Sequence, residues 1–546
     1  MRHVPLLLVA ALLAAGGGDA GADTYPKDHR VDILHYRFAL DLGDDDDRID
    51  GTTDIDLRIA ADAVSSLRLD LVGPDRATGT GMTVSAVAVD GAAATFTHRD
   101  HAVVVTLPRP AAAGARLRLR VVYAGTPASG LRIAANRYGE RTFFSDNWPN
   151  RARHWLPTVD HPYDKATSEM IVTAPSHYQV VSNGLMVEAT DLAGGRRRTH
   201  WHQSVPIAPW LYVLGVARFA VQHVGTFDGK AIQTWVYARD RDAGFHDFAV
   251  PTRDALEYYS ARIGPYAYEK LANVQSNSVS GGMEAASAIF YSESSVTGDR
   301  SVRWRNVVIH EIAHQWFGNA VTESDWDDVW LSEGFATYFT LLFIEHRYGR
   351  DEFLRGLEDS RQRVLAFDQE FPDYRIVHDN LDDMAAVTTS QIYQKGSWVL
   401  HMLRGLVGDE AFWAGIRSYY RAHRNGHATT ADFRAEMERA SGRDLRPFFD
   451  QWLTRGGLVR LTGDWSYRAD AGRVVVRLTQ RDAARLFVMP LQVAVYAAGS
   501  ATPAVTTVEL SSSSHEFELP VTTRPVRVEL DPHHVVLMEA TFGERR

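Results

Sequence analysis

Cysteine is absent from the 546-residue chain. No disulfide can form, and no lipid can be attached to a leader cysteine, so folding rests on the core alone. Lysine is almost absent as well: five residues among 58 basic ones, the rest arginine. That bias reads as composition, not as a motif. No basic cluster persists and the formal net charge is −10, which argues against nucleic acid as a partner. Past the first fifteen residues no apolar run approaches the roughly 20 residues of a membrane span. Internal repeats and low-complexity segments are also missing. What remains is 45% hydrophobic and 23% charged residues, an ordinary globular composition long enough for three or four domains.

The first residues resemble an export signal. Arg2 and His3 precede an apolar stretch from Val4 to Ala15, too short for a permanent anchor. Ala20-Gly21-Ala22 then offers a small-x-small cleavage site before Asp23. The expectation is a signal peptide over 1–22 and a mature protein that is periplasmic or secreted, with no transmembrane anchor.

Val308-Ile309-His310-Glu311-Ile312-Ala313-His314-Gln315-Trp316 is the most informative stretch. His310 and His314, four apart, project from one helix face and can share one Zn²⁺ per chain. Glu311 between them can reach water on that metal. Glu333, in Trp330-Leu331-Ser332-Glu333-Gly334-Phe335, offers a third ligand from a second helix. Three protein ligands leave a position open, the catalytic arrangement. Asp299 or Ser301 is expected to cap the first helix, and Gly318-Asn319 to stop it. The second helix is expected from about Trp330 to Tyr348, with Gly349 beyond its end. Of the acidic residues between the two, Asp327 or Asp328 is a candidate to orient a zinc histidine through its far nitrogen.

From about Val31 to Val221 short apolar–polar alternations such as Ile55-Asp56-Leu57-Arg58-Ile59 predict an antiparallel β domain, assigned to 23–225. Asp44 to Asp47 reads as a hairpin tip in water. Helical patterns then dominate 226–456, up to Phe448-Phe449-Asp450-Gln451-Trp452 and a joint at Gly456-Gly457. Alternation returns over 457–546, as in Val474-Val475-Val476-Arg477-Leu478, predicting a β-sandwich. The fold class expected is therefore multidomain α+β.

Two further segments gather around the metal motif. Gly281-Gly282-Met283-Glu284-Ala285 places glycines where backbone can approach a ligand and offers the Glu284 carboxylate. Taken alone it reads as a strand-edge loop with one solvated Glu. Tyr393, in Ile392-Tyr393-Gln394-Lys395-Gly396, begins a helical segment. Its phenol can pack, or donate to an oxyanion formed on a carbonyl.

With these segments in order, the sequence resembles the M1 family of zinc metallopeptidases, the aminopeptidase N and leukotriene A4 hydrolase group. Gly264-Pro265-Tyr266 and Phe448 to Trp452 add to the likeness. The resemblance implies a β-rich N-terminal domain, a thermolysin-like α/β zinc catalytic domain and a β-sandwich. It implies that Glu311 is the general base and that Tyr393 stabilises the tetrahedral intermediate. Gly281 to Ala285 would bind substrate, with Glu284 holding the free α-amine of a peptide. By the same likeness, Asp146-Asn147-Trp148 could line the pocket for the first substrate residue, or form a structural turn. Two departures stand out. Ala285 occupies the position of the family's usual Asn, and the chain stops where the family usually adds a helical domain. The function expected is a secreted zinc aminopeptidase. A thermolysin-like endopeptidase and an inactive peptide-binding protein on the same fold remain as rivals.

Overall fold

The computed structural model describes residues 23–378, 384, 387–482, 485–500 and 502–545. The expected signal segment lies outside them. Strict alternation produces strands with one wet face in the N-terminal region: Ile49, Gly51, Thr53, Ile55, Leu57 and Ile59 are buried while their neighbours are not. That strand belongs to an eight-stranded sheet. Val31–Leu42 pairs antiparallel with Ile49–Ile59 and, on its other edge, parallel with Ala166–Pro175. The sheet is thus not wholly antiparallel, because the chain returns to this edge through a long excursion and not a hairpin. Asp44 to Asp47 do fall in the connection between the first two strands.

Strand Phe219–Phe227 already belongs to the next layer. It opens a five-stranded sheet followed by Lys230–Tyr237, Lys270–Ser276, Ala288–Ser292 and, at the edge, Gly282–Met283. Against this sheet and one another pack α1 (Arg241–Arg262), α2 (Val302–His314) and α3 (Trp330–Tyr348). Helix α3 is the centre of the molecule. Of Trp330 to Ile344 only Thr337 is not buried, so the helix has almost no wet face. Helices α4 (Arg350–Glu370), α5 (Gly396–Val407), α6 (Asp409–His423), α7 (Thr430–Ser441) and α8 (Arg446–Leu453) complete the helical part. A single π-helical turn, Gln391–Lys395, leads into α5. The C-terminal part is a four-stranded and a three-stranded sheet. Among the described residues no helix is long and apolar enough to cross a membrane.

Candidate zinc site and substrate cleft

Helix α2 ends at the second histidine for a local reason. Gly318 adopts φ +104°, a left-handed conformation. A Cβ there would stand 2.2 Å from Ser332 Oγ and 3.2 Å from His314 Nδ1. Only glycine lets the chain turn away this close to the histidine. Ser301 is the residue before α2, but its side chain makes no capping bond.

Three ligand atoms converge. His310 Nε2 lies 3.1 Å from His314 Nε2 and 3.3 Å from Glu333 Oε2, and His314 Nε2 lies 3.1 Å from the same oxygen. Ligands about 2.0–2.1 Å from a tetrahedral zinc stand about 3.3 Å apart, so the triangle fits that ion. The donor chemistry agrees. His314 Nδ1–H donates to the Phe317 carbonyl at 3.1 Å, so in the neutral ring Nε2 holds a lone pair facing a carboxylate oxygen. That close approach calls for a cation between them, a metal ion or, without one, a proton on Nε2. Burial lowers the basicity of His314, but the facing Glu333, Glu284 and Glu311 carboxylates push it up to about 10. Burial opposes ionisation of Glu333 too, yet His314 and His310 hold its carboxyl well below the usual range.

The far nitrogen of His314 is held by Phe317 and by Ser332 Oγ at 3.1 Å. Asp328, one of the two residues the sequence suggested for such a role, does not hold it. Asp328 instead accepts bonds from Thr430 across the helical part.

Glu311 projects from α2 into the same cleft, about 730 Å³ in volume. Burial raises its carboxyl well above the ordinary range, with Glu284 and Glu333 adding to the effect and His314 opposing it. Gly282 exists for this carboxylate: a Cβ on it would fall 2.3 Å from Glu311 Oε1. Glu284 is fixed through its backbone. Gln315 Nε2 donates to its carbonyl at 2.8 Å and Asn319 Nδ2 at 2.6 Å. Its carboxyl is pushed up to about 7, chiefly by burial, and its Oε1 has no hydrogen-bond partner among the described residues. Gly281, Gly282 and Glu284 line the cleft. Met283 and Ala285 face the core, 5% and 1% exposed.

Tyr393 reaches the site from the π-turn. Its hydroxyl donates to Glu333 Oε1 at 2.7 Å, and its ring lines the cleft beside His310. Helix α4 also lines the cleft, through Arg355, Asp359 and Arg363. Asp146-Asn147-Trp148 takes the structural alternative. Asn147 bridges the Tyr212 carbonyl and the Trp155 indole, and Trp148 packs against Trp210 and Trp326. Sequence reasoning missed Gln315, Asn319 and Ser332. Gln315 follows the second histidine directly and Asn319 lies five residues beyond it, in the stop of the helix, and those places are the only sequence signal they carry.

Comparison with known proteins agrees with this geometry. Residues 251–452 match the Peptidase family M1 domain and residues 33–211 the Peptidase M1 N-terminal domain. Aminopeptidase A of Gloydius brevicauda is 29% identical over 333 residues, 59% of this chain and 35% of that protein. Glutamyl aminopeptidase of Homo sapiens is 29% identical over 329 residues, 57% and 34% of the respective chains. The chain therefore spans about a third of the length of these curated relatives. The crystal structure of an M1 zinc metallopeptidase from Deinococcus radiodurans superposes with a TM-score of 0.68 at 26% identity, over 80% of this chain and 96% of that one.

Proposed function

The chain belongs to peptidase family M1, a family of zinc metallopeptidases, and from that premise we propose that it is an exported zinc aminopeptidase. His310, His314 and Glu333 hold the metal. Zinc in that triad supplies a Lewis acid that acidifies water and polarises a carbonyl. Glu311 accepts the proton of the attacking water and returns it to the leaving amine, and its raised basicity suits both transfers. Tyr393 donates its phenolic hydrogen to the oxygen that becomes negative as the carbonyl is attacked. To do so it gives up its bond to Glu333.

Glu284 carries the choice of aminopeptidase over endopeptidase. A buried carboxylate with an unsatisfied oxygen beside the catalytic glutamate is costly unless a cation joins it. The α-ammonium of a peptide, one residue from the scissile bond, is such a cation. An endopeptidase has no use for it. The complete set of Glu311, Tyr393 and metal ligands speaks against an inactive peptide-binding protein. Export rests on the apolar leader with its Ala20-Gly21-Ala22 site.

One peptide offered with a free and with an acetylated N-terminus, its products identified by mass, tests the reading. Release of the first residue from the free form alone supports it. Internal cleavage of both at comparable rates replaces it with the endopeptidase.

A further inference from the structure

A second buried cluster lies away from the cleft, where the chain leaves the leader. Asp23 is only 8% exposed. Its backbone nitrogen donates to Asp325 Oδ1 at 2.8 Å, and its own Oδ2 lies 2.7 Å from His161 Nε2. Lys27 pairs with the other oxygen of Asp325. Tyr25 stacks on His161, and the Trp326 N–H faces Asp23 Oδ2. The group joins the leading segment, the N-terminal domain and the stretch that runs into α3 and Glu333.

Charge is unbalanced here. Two carboxylates meet one ammonium, Lys27, and a histidine. Its Nδ1 accepts the Tyr163 N–H at 3.2 Å, so Nε2 carries the proton given to Asp23. The three donor residues are close enough to admit a metal, but a protonated Nε2 offers it no lone pair, and Lys27 already occupies Asp325. A second ammonium suits the position better. The sequence places one there: hydrolysis after the small-x-small site makes Asp23 the first residue.

We propose that cleavage between Ala22 and Asp23 creates an α-ammonium that is buried against Asp325, and that this pair latches the N-terminal domain onto the catalytic domain. A leader peptidase breaks the Ala22–Asp23 amide with one water. The hydroxyl goes to the Ala22 carbonyl carbon and the hydrogen to the Asp23 nitrogen, and the new acid's proton completes the ammonium. The amide that donated one hydrogen bond to Asp325 becomes a charged group with three donors, and a charge-assisted bond replaces a neutral one. The inference rests on the export reading above.

The test begins with protein recovered after export. A first residue of Asp23, by N-terminal sequencing and mass, is the result the latch requires; any other start in exported protein overturns the latch alone, and a chain that stays in the cytoplasm with its leader intact overturns the export reading with it. Given that start, the folded protein is treated at neutral pH with an amine acylating reagent and the Asp23 nitrogen followed by peptide mass. Protection of at least about tenfold over the denatured chain is expected, because labelling then needs local opening. Asp325→Asn should abolish the protection. A form retaining Gly21-Ala22 ahead of Asp23 should melt lower than the mature protein, and that difference should vanish in the Asp325→Asn background. Should Asp325→Asn not fold, protection in the unaltered protein and the melting of the extended form still decide. Labelling as fast as in the denatured chain, or an extended form as stable as the mature one, overturns the latch and leaves export standing.

Discussion

Gly282 shows how closely the site is built around one carboxylate. With 2.3 Å between an added Cβ and Glu311 Oε1, Gly282→Ala must displace the base, while the metal ligands on α2 and α3 stay in place. We expect its kcat to fall at least about tenfold with zinc content unchanged, since small misplacements of a catalytic group are this costly. Glu311→Gln should lose about 10²–10⁴ in kcat and also retain zinc. Metal analysis beside steady-state kinetics checks both, and loss of zinc from either variant would reassign the residue. Tyr393→Phe should lower kcat more than it raises KM, because its bond to the oxyanion exists only in the transition state. Residues of this kind were legible to different degrees. His310, Glu311, His314 and Glu333 announce themselves through spacing on helices. Gly282 could be read as a place of close approach, but its neighbour on α2 could not be named. Gln315 and Asn319 act on a carbonyl some thirty residues earlier, a relation no local pattern encodes.

At the scale of elements, helix packing decides where Tyr393 stands. The π-turn Gln391–Lys395 widens the backbone just before α5, a device often found at functional sites. Gly396 then lets α5 touch α3: a Cβ on it would lie 3.1 Å from Gly334 Cα. Gly334 follows Glu333 directly, so this glycine contact sets the distance between the tyrosine and the metal ligand. Gly396→Val should force the helices apart, lowering the melting temperature and kcat together, whereas Gly396→Ala should cost less of each. Equal effects of the two variants would show that volume at this contact does not matter. The sequence predicted a helix at Tyr393. It could not predict the wider turn, which depends on what packs against it. The same limit applies to the N-terminal sheet. Alternation such as that of Ile49–Ile59 identifies strands and their buried faces, but not the parallel pairing of Val31–Leu42 with Ala166–Pro175, which joins residues far apart in the chain.

Across the whole molecule, three of the five lysines turn out to sit at junctions. Lys165 donates to the carbonyls of Asn319, Ala320 and Gly426, Lys270 to that of Ser182, and Lys395 to that of Gly457. Each is buried and each ties one part of the chain to another. Composition alone showed only that lysine was rare. A buried histidine does similar work at the C-terminal junction and makes it sensitive to acid. His401 on α5 donates through Nε2 to the His534 carbonyl at 2.9 Å, and its Nδ1 faces the Tyr338 hydroxyl at 3.1 Å. Both nitrogens are satisfied in the neutral ring. Burial lowers its pKa to about 4, against about 6.5 in an unfolded chain. Between those values the unfolded chain binds a proton that the folded protein refuses. Stability is therefore complete above pH 6.5 and is lost as pH falls toward 4. The size is about 3.5 kcal/mol at most, at about 1.4 kcal/mol per pH unit of difference. His154 and His427, also held low by burial, act in the same direction. Replacing His401 with Gln should thus lower the melting temperature at pH 7, where a good hydrogen-bonded fit is lost, and flatten its decline toward pH 4.5 without abolishing it. Melting the two proteins side by side after chelator treatment keeps metal release out of the comparison, and the difference between their curves isolates His401. Parallel curves would place the acid sensitivity elsewhere.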